Sequence, residues 1–146
     1  MQIRIEGRDL PGRSCAAGPG FPGYDLIQVA VPRRNRPTEL LGLHPGDAPG
    51  ATWTLDCGFS EGTGGTELTG PYIQGGPGAR FIYLSWVAGE RLALFRRAKL
   101  LLSAVPQDTL AAARGTGLLT ARLSLTDAKG NPLCARVVPP AVEWAA

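Results

Sequence analysis

His44 is the sole histidine of the chain, set in Leu43-His-Pro-Gly-Asp47. Every histidine-based proton transfer, and every Ser-His-Asp or Cys-His nucleophile, must therefore use it. The strained G-x-S-x-G turn that presents a serine nucleophile is absent. Two other groups could move a proton: Asp56, which alternates with apolar residues alongside Thr52 and Thr54, and the phenol of Tyr83. Tyr72, Tyr83 and Trp86 carry rings with polar tips, apolar along the body and able to hydrogen-bond at the end. Such side chains suit the wall of a mostly apolar pocket with few convergent polar groups. Tyr83, Asp56 and His44 are accordingly the candidate catalytic residues. Tyr72, Trp86, Arg97 and Lys99 are the candidate ligand contacts, with all these rings around one cavity and Asp56 or Arg97 supplying charge at its edge. The competing reading puts the rings in the core and Asp56 on an outer face.

The cations divide into two groups. Arg96, Arg97 and Lys99 follow an apolar strand, and on a helix at about 100° per residue Arg97 and Lys99 flank the apolar stripe while Arg96 points away from it. Long stems at such positions can reach a pocket edge. Arg33-Arg34-Asn35-Arg36 forms a second patch in a Pro-rich segment. It lacks the aromatic platforms of single-strand binders and the fold cues of duplex readers, so nucleic acid is not the expected partner. Gly75-Gly-Pro-Gly-Ala-Arg80 leads into a strand, whereas phosphate-cradling glycine loops open onto a helix N-terminus, so it reads as a turn. Cys15, Cys57 and Cys134 form no CxxC pair, and His44 would need ligands from separate loops to hold a metal. With no nucleotide, flavin or metal motif, the expectation is no metal and no cofactor.

These residues need elements to position them. Met1, Ile3 and Ile5 alternate with polar residues, the period of a half-buried strand. Residues 9 to 23 are dense in Pro and Gly and read as a long loop; a strand follows over 25–31, and prolines then mark a second irregular segment from Pro32 to Pro49. Trp53, Leu55 and Cys57 share one face of a strand over 51–57. Glu61 to Gly70 reads as a hairpin loop. Phe81 to Trp86 is apolar on both faces, the mark of a central strand. Leu94, Ala98, Leu101 and Val105 are spaced i, i+4, i+7, i+11, which predicts a helix over 92–105 with Leu101 in the core, alongside Trp53, Leu84 and Leu123. Pro106 stops that helix or turns it into a short second one at 108–114, ended by Gly115. Leu119 to Thr126 alternates, and the turn Asp127-Ala-Lys-Gly-Asn131 predicts a hairpin with 133–138.

Composition sets the bounds. The 146 residues match the usual size of one domain, spanning 1–146, and 44% hydrophobic with 18% charged residues fits a globular chain. The net charge is only +3, with arginine supplying all the basic residues except Lys99 and Lys129, too little to imply a polyanionic partner without clustering. Met1 leads straight into a strand pattern, with no basic and apolar leader, and no apolar run approaches the ~20 residues of a membrane span. Three reduced thiols in a cytoplasmic protein without membrane association is the simplest expectation.

Five blocks carry a resemblance: 2–15, Gly46-Asp-Ala-Pro-Gly-Ala-Thr-Trp-Thr-Leu55, Gly70-Pro-Tyr-Ile-Gln-Gly75, Phe95-Arg-Arg-Ala-Lys-Leu100 and 125–136. In that order the chain resembles a family of small proteins of unknown function from high-GC bacteria. The resemblance implies kinship over most of the chain and brings no catalytic residues with it. The expected fold is α+β: an antiparallel twisted sheet of about six or seven strands, a sandwich or partial barrel, with one main covering helix. The expected function is binding of a small apolar metabolite, with a cofactor-independent isomerase, cyclase or hydrolase as its catalytic form and homo-oligomerisation left open. The alternative is a non-catalytic protein-interaction module using the Pro/Gly-rich loops or a strand edge.

Overall fold

The computed structural model describes residues 1–8, 27–45, 52–62, 65–89, 91, 93–124, 129, 137–138 and 141–146. Strands dominate. β1 (Gln2–Arg8) lies between β4 (Thr52–Asp56), antiparallel, and β9 (Leu118–Ser124), parallel, and β11 (Ala141–Ala145) completes this four-stranded sheet in the order β11-β9-β1-β4. A second sheet runs β10-β8-β7-β2-β3, built from β2 (Ile27–Arg33), β3 (Arg36–Pro45), β7 (Phe81–Ala88), β8 (Ala93–Leu101) and β10 (Val137–Val138). β5 (Gly58–Gly62) and β6 (Gly65–Thr69) form a separate hairpin. Among the described residues one α-helix, α1 (Gln107–Thr116), precedes β9 and packs on β9 and β11 through buried Leu110 and Ala113. The architecture is the expected α+β one, a sandwich in which neighbouring strands are mainly antiparallel.

The two large sheets share one core. Ile3, Ile5, Leu119 and Leu123 from the first meet Val29, Val31, Ile82, Leu84, Trp86 and Leu100 from the second, each at most 1% exposed. The strand periods produce this directly: in β4, Trp53 and Leu55 are buried while Thr52, Thr54 and Asp56 face out. At one side the sheets approach each other where His44 of β3 meets Trp53 of β4 edge to face at 4.9 Å. Gly42 makes that approach feasible, because it sits at φ +67° and a Cβ there would lie 2.9 Å from the indole. Trp53, Leu84 and Leu123 are buried as the patterning requires.

Several elements differ from the sequence reading. Residues 93–101 are a strand, not part of a helix over 92–105. The stretch is so rich in apolar residues that it fits both periods. Antiparallel pairing with β7, across a turn where Gly89 takes φ +71°, selects the extended one. Ala98 and Leu100 consequently face the core, and Leu101 lies outward, 46% exposed. The short helix after Pro106 is the real one. It extends two residues past Gly115 to a left-handed cap at Gly117, whose N–H donates to the Ala113 carbonyl.

Part of the Pro-rich second segment is also a strand, β3, at the sheet edge. There the missing N–H of Pro37 removes no ladder bond from the interior, and Asn35 at φ 59° turns the chain back from β2. Finally, β9 pairs with β11, and Val137–Val138 joins the other sheet parallel to β8, in place of the expected hairpin between 119–126 and 133–138. The hairpin of β5 and β6 starts at Gly58 and overlaps the stretch from Glu61 to Gly70 read as a hairpin loop. The loop expected over 9–23 falls outside the described residues, as do Cys15, Cys134 and residues 133–136. Among the described residues no helix is long and apolar enough to cross a membrane.

Candidate functional site

β7 is the central strand of its sheet, and its two faces do different work. Ile82, Leu84 and Trp86 point into the core, fully buried. Phe81, Tyr83, Ser85 and Val87 point to the outer face, where β8 presents Arg97 and Lys99 from across the ladder, with Ser85 opposite Arg97 and Tyr83 opposite Lys99. The guanidinium carbon of Arg97 lies 4.3 Å from the Tyr83 ring centroid, and the Lys99 ammonium 4.1 Å from that of Phe81. Phe81 and Tyr83 meet edge to face at 4.8 Å. The outer face is thus a ladder of rings and cations, held by cation–π contacts between diagonal neighbours.

The ladder ends at a cleft. Its floor is the pair Ser85–Arg97 across β7 and β8, and beside Ser85 on β2 stands Ala30, at a register shift between β2 and β3. Pro32, Pro37, Leu40 and Val87 form apolar walls around Ser85 and Arg97, enclosing about 210 Å³. Thr38 and Arg91 complete the lining. The polar atoms here are unusual. Ser85 is 2% exposed and its Oγ is buried without a hydrogen-bond partner; so is Nε of Arg97. Buried polar groups are nearly always satisfied, and leaving one unpaired costs about 1–3 kcal/mol. Two orphans on residues that line one small cleft mark it as the leading candidate site.

Of the residues selected from the sequence, Tyr83, Arg97 and Lys99 share this outer face, and Arg97 lines the cleft. The others lie elsewhere, so the single cavity expected around Tyr72, Tyr83 and Trp86 does not form. Trp86 stands three positions after Tyr83, and strand alternation sends it into the core, where its Nε1 is buried without a partner. Tyr72 packs against the core from the turn that precedes β7. Asp56 is exposed on the other sheet and accepts a hydrogen bond from Nε2 of Gln2 at 3.3 Å. His44 is on β3, a strand position with its ring against Trp53. Ser85 was missed. Its signal was that of the one small polar residue within Phe81-Ile-Tyr-Leu-Ser-Trp-Val87, a strand covered on both faces.

A second concavity, wide and open, runs past the β2–β3 turn. Arg33, Arg34, Arg36 and Arg80 line it with Gly70 and Pro71. Its cations are largely engaged: Arg33 and Arg36 both bind the Glu39 carboxylate, at 2.7 and 2.9 Å, and Arg80 reaches Glu67 at 3.3 Å. The two guanidiniums, Arg36 foremost, hold the Glu39 carboxyl below its usual range. Among the described residues no three His, Cys, Asp or Glu side chains come together as a metal site.

The chain belongs to the family described as "Family of unknown function (DUF5990)", whose model matches residues 1–146. Neither a curated protein nor a solved structure shows significant similarity to it.

Proposed function

We propose that this domain binds a small, largely apolar metabolite in the cleft over Ser85 and Arg97. The observation that carries the reading is the pair of buried, unpartnered polar atoms, Ser85 Oγ and Arg97 Nε, set within walls of proline, leucine and valine. A cleft of that make-up is what a specific ligand site consists of: apolar area for binding, and a few fixed polar groups for orientation. The surrounding construction supports it. The Tyr83 ring lies against the Arg97 guanidinium, so the cation is held in place before any ligand arrives. The floor rests on β7, the most interior strand of the sheet, which gives a rigid base rather than a loop.

A fragment screen followed by backbone and methyl NMR tests the proposal. Apolar fragments carrying one polar group are expected to shift resonances of Ser85, Val87, Leu40 and Arg97 together. Binding confined to other surfaces, or no fragment binding at all, contradicts it.

A further inference from the structure

We infer that the ligand of this cleft is a small monocarboxylate, its carboxylate held between Arg97 Nε–H and the Ser85 hydroxyl and its hydrocarbon body against Pro32, Leu40 and Val87. This rests on the binding proposed above and adds the chemical class. The first ground is donor chemistry. An arginine has five N–H donors and no acceptor, so the orphan Nε can be satisfied only by an acceptor. Ser85 lies directly opposite on the neighbouring strand, yet the two make no hydrogen bond with each other. Its hydroxyl remains available to donate to the same group.

Charge is the second ground. Arg91 and Arg97 both line the cleft, and no carboxylate lines it among the described residues. The nearest carboxylate of β3, Glu39, sits between Thr38 and Leu40 in sequence but is bound by Arg33 and Arg36 instead. Among the described residues Arg97 makes no ion pair, and its guanidinium lies against the Tyr83 ring. Stacking on a ring while offering an edge to a carboxylate is the geometry to which guanidinium is suited, and charge-assisted bonds of this kind are about twice as strong as neutral ones. A half-buried cation without a counter-charge among the described residues calls for an anion.

Size is the third. At about 210 Å³ the cleft holds on the order of seven water-sized groups. That suits a short branched or aromatic acid and excludes a nucleotide or a long acyl chain lying within it. Two donors and four apolar walls also favour a singly charged, planar head over a phosphate, which needs more donors to replace its hydration.

Titration calorimetry on the full chain with matched probes tests the class: a short aromatic or branched monocarboxylate, its primary amide, and the phosphate monoester of the corresponding alcohol. The acid is expected to bind about ten- to a hundredfold more tightly than the amide, and the phosphate more weakly than the acid. Arg97→Gln should abolish the preference for acid over amide, weakening acid binding far more than amide binding. Arg97→Lys, which keeps the charge as a guard against misfolding, should retain only part of it. Equal affinity for acid and amide, or tighter phosphate binding, overturns the monocarboxylate assignment and leaves the cleft as a binding site. No binding by any probe, with fragments also absent from the cleft, defeats the underlying reading as well.

Discussion

At the scale of single residues, the chemistry of this chain lies where small polar groups interrupt apolar strands. Ser85 was legible only as an oddity, because composition and spacing do not reveal that a hydroxyl lacks a partner. Arg97 was legible as a cation beside apolar surface, whereas its stacking on Tyr83 depends on a cross-strand register that no local pattern carries. His44 and Asp56 drew attention through their rarity and chemistry, yet the fold puts one against Trp53 and the other on an exposed edge. Cys57 shows the opposite outcome, a reactive group made inert. Burial first, and the Asp56 charge second, push its thiol up to about 11 from an ordinary 9.0, against the opposing pull of the N-terminal ammonium. The folded state therefore holds this proton more tightly than the unfolded one. The stability so contributed is complete below about pH 9 and is lost as pH rises through about 11. Denaturant unfolding across pH 8 to 11 should show a decline in the native protein that is smaller in Cys57→Ala. Equal slopes would contradict a buried neutral thiol.

At the scale of elements, periodicity was informative where only one period fitted. β1 and β4 alternate cleanly, and their buried faces are the ones the pattern names. β8 was ambiguous because its leucines, alanines and Phe95 are spaced so that helical and extended periods are satisfied together. Pairing with β7 decides between them, and that interaction is non-local in energy though close in sequence. The two spacings make opposite statements about neighbouring leucines. A helical stripe buries Leu101, but in the strand Leu100 is 1% exposed and Leu101 is 46% exposed. Leu100→Ala should cost about 2–5 kcal/mol through lost burial and a cavity. Leu101→Ala should stay within about 1 kcal/mol, as surface substitutions do. Urea titration of the two variants checks the order, and the reverse ranking would refute the strand.

At the scale of the whole molecule, the pairings that close the sandwich join distant parts of the chain. β1 takes β9 as a parallel neighbour, and β10 and β11 enter different sheets although only residues 139–140 separate them. Sequence reading favours neighbours in the chain, which is why it joined 119–126 to 133–138 and missed β11 as the partner. The assembled sheets create the outer cleft, and with it a tension between stability and use. A domain of this kind is stable by only about 5–15 kcal/mol, so two unpaired buried polar atoms are a substantial burden unless a ligand relieves them. Unfolding of the native protein and Ser85→Ala in urea, with and without a short aromatic monocarboxylate, tests this most directly. Without the acid, Ser85→Ala should be the more stable by about 1 kcal/mol, since an unsatisfied hydroxyl has been removed; with the acid, the native protein should gain clearly more than the variant. If Ser85→Ala is less stable than the native protein without the acid, or both gain equally with it, the hydroxyl already has its partner within the fold and the cleft is not the site.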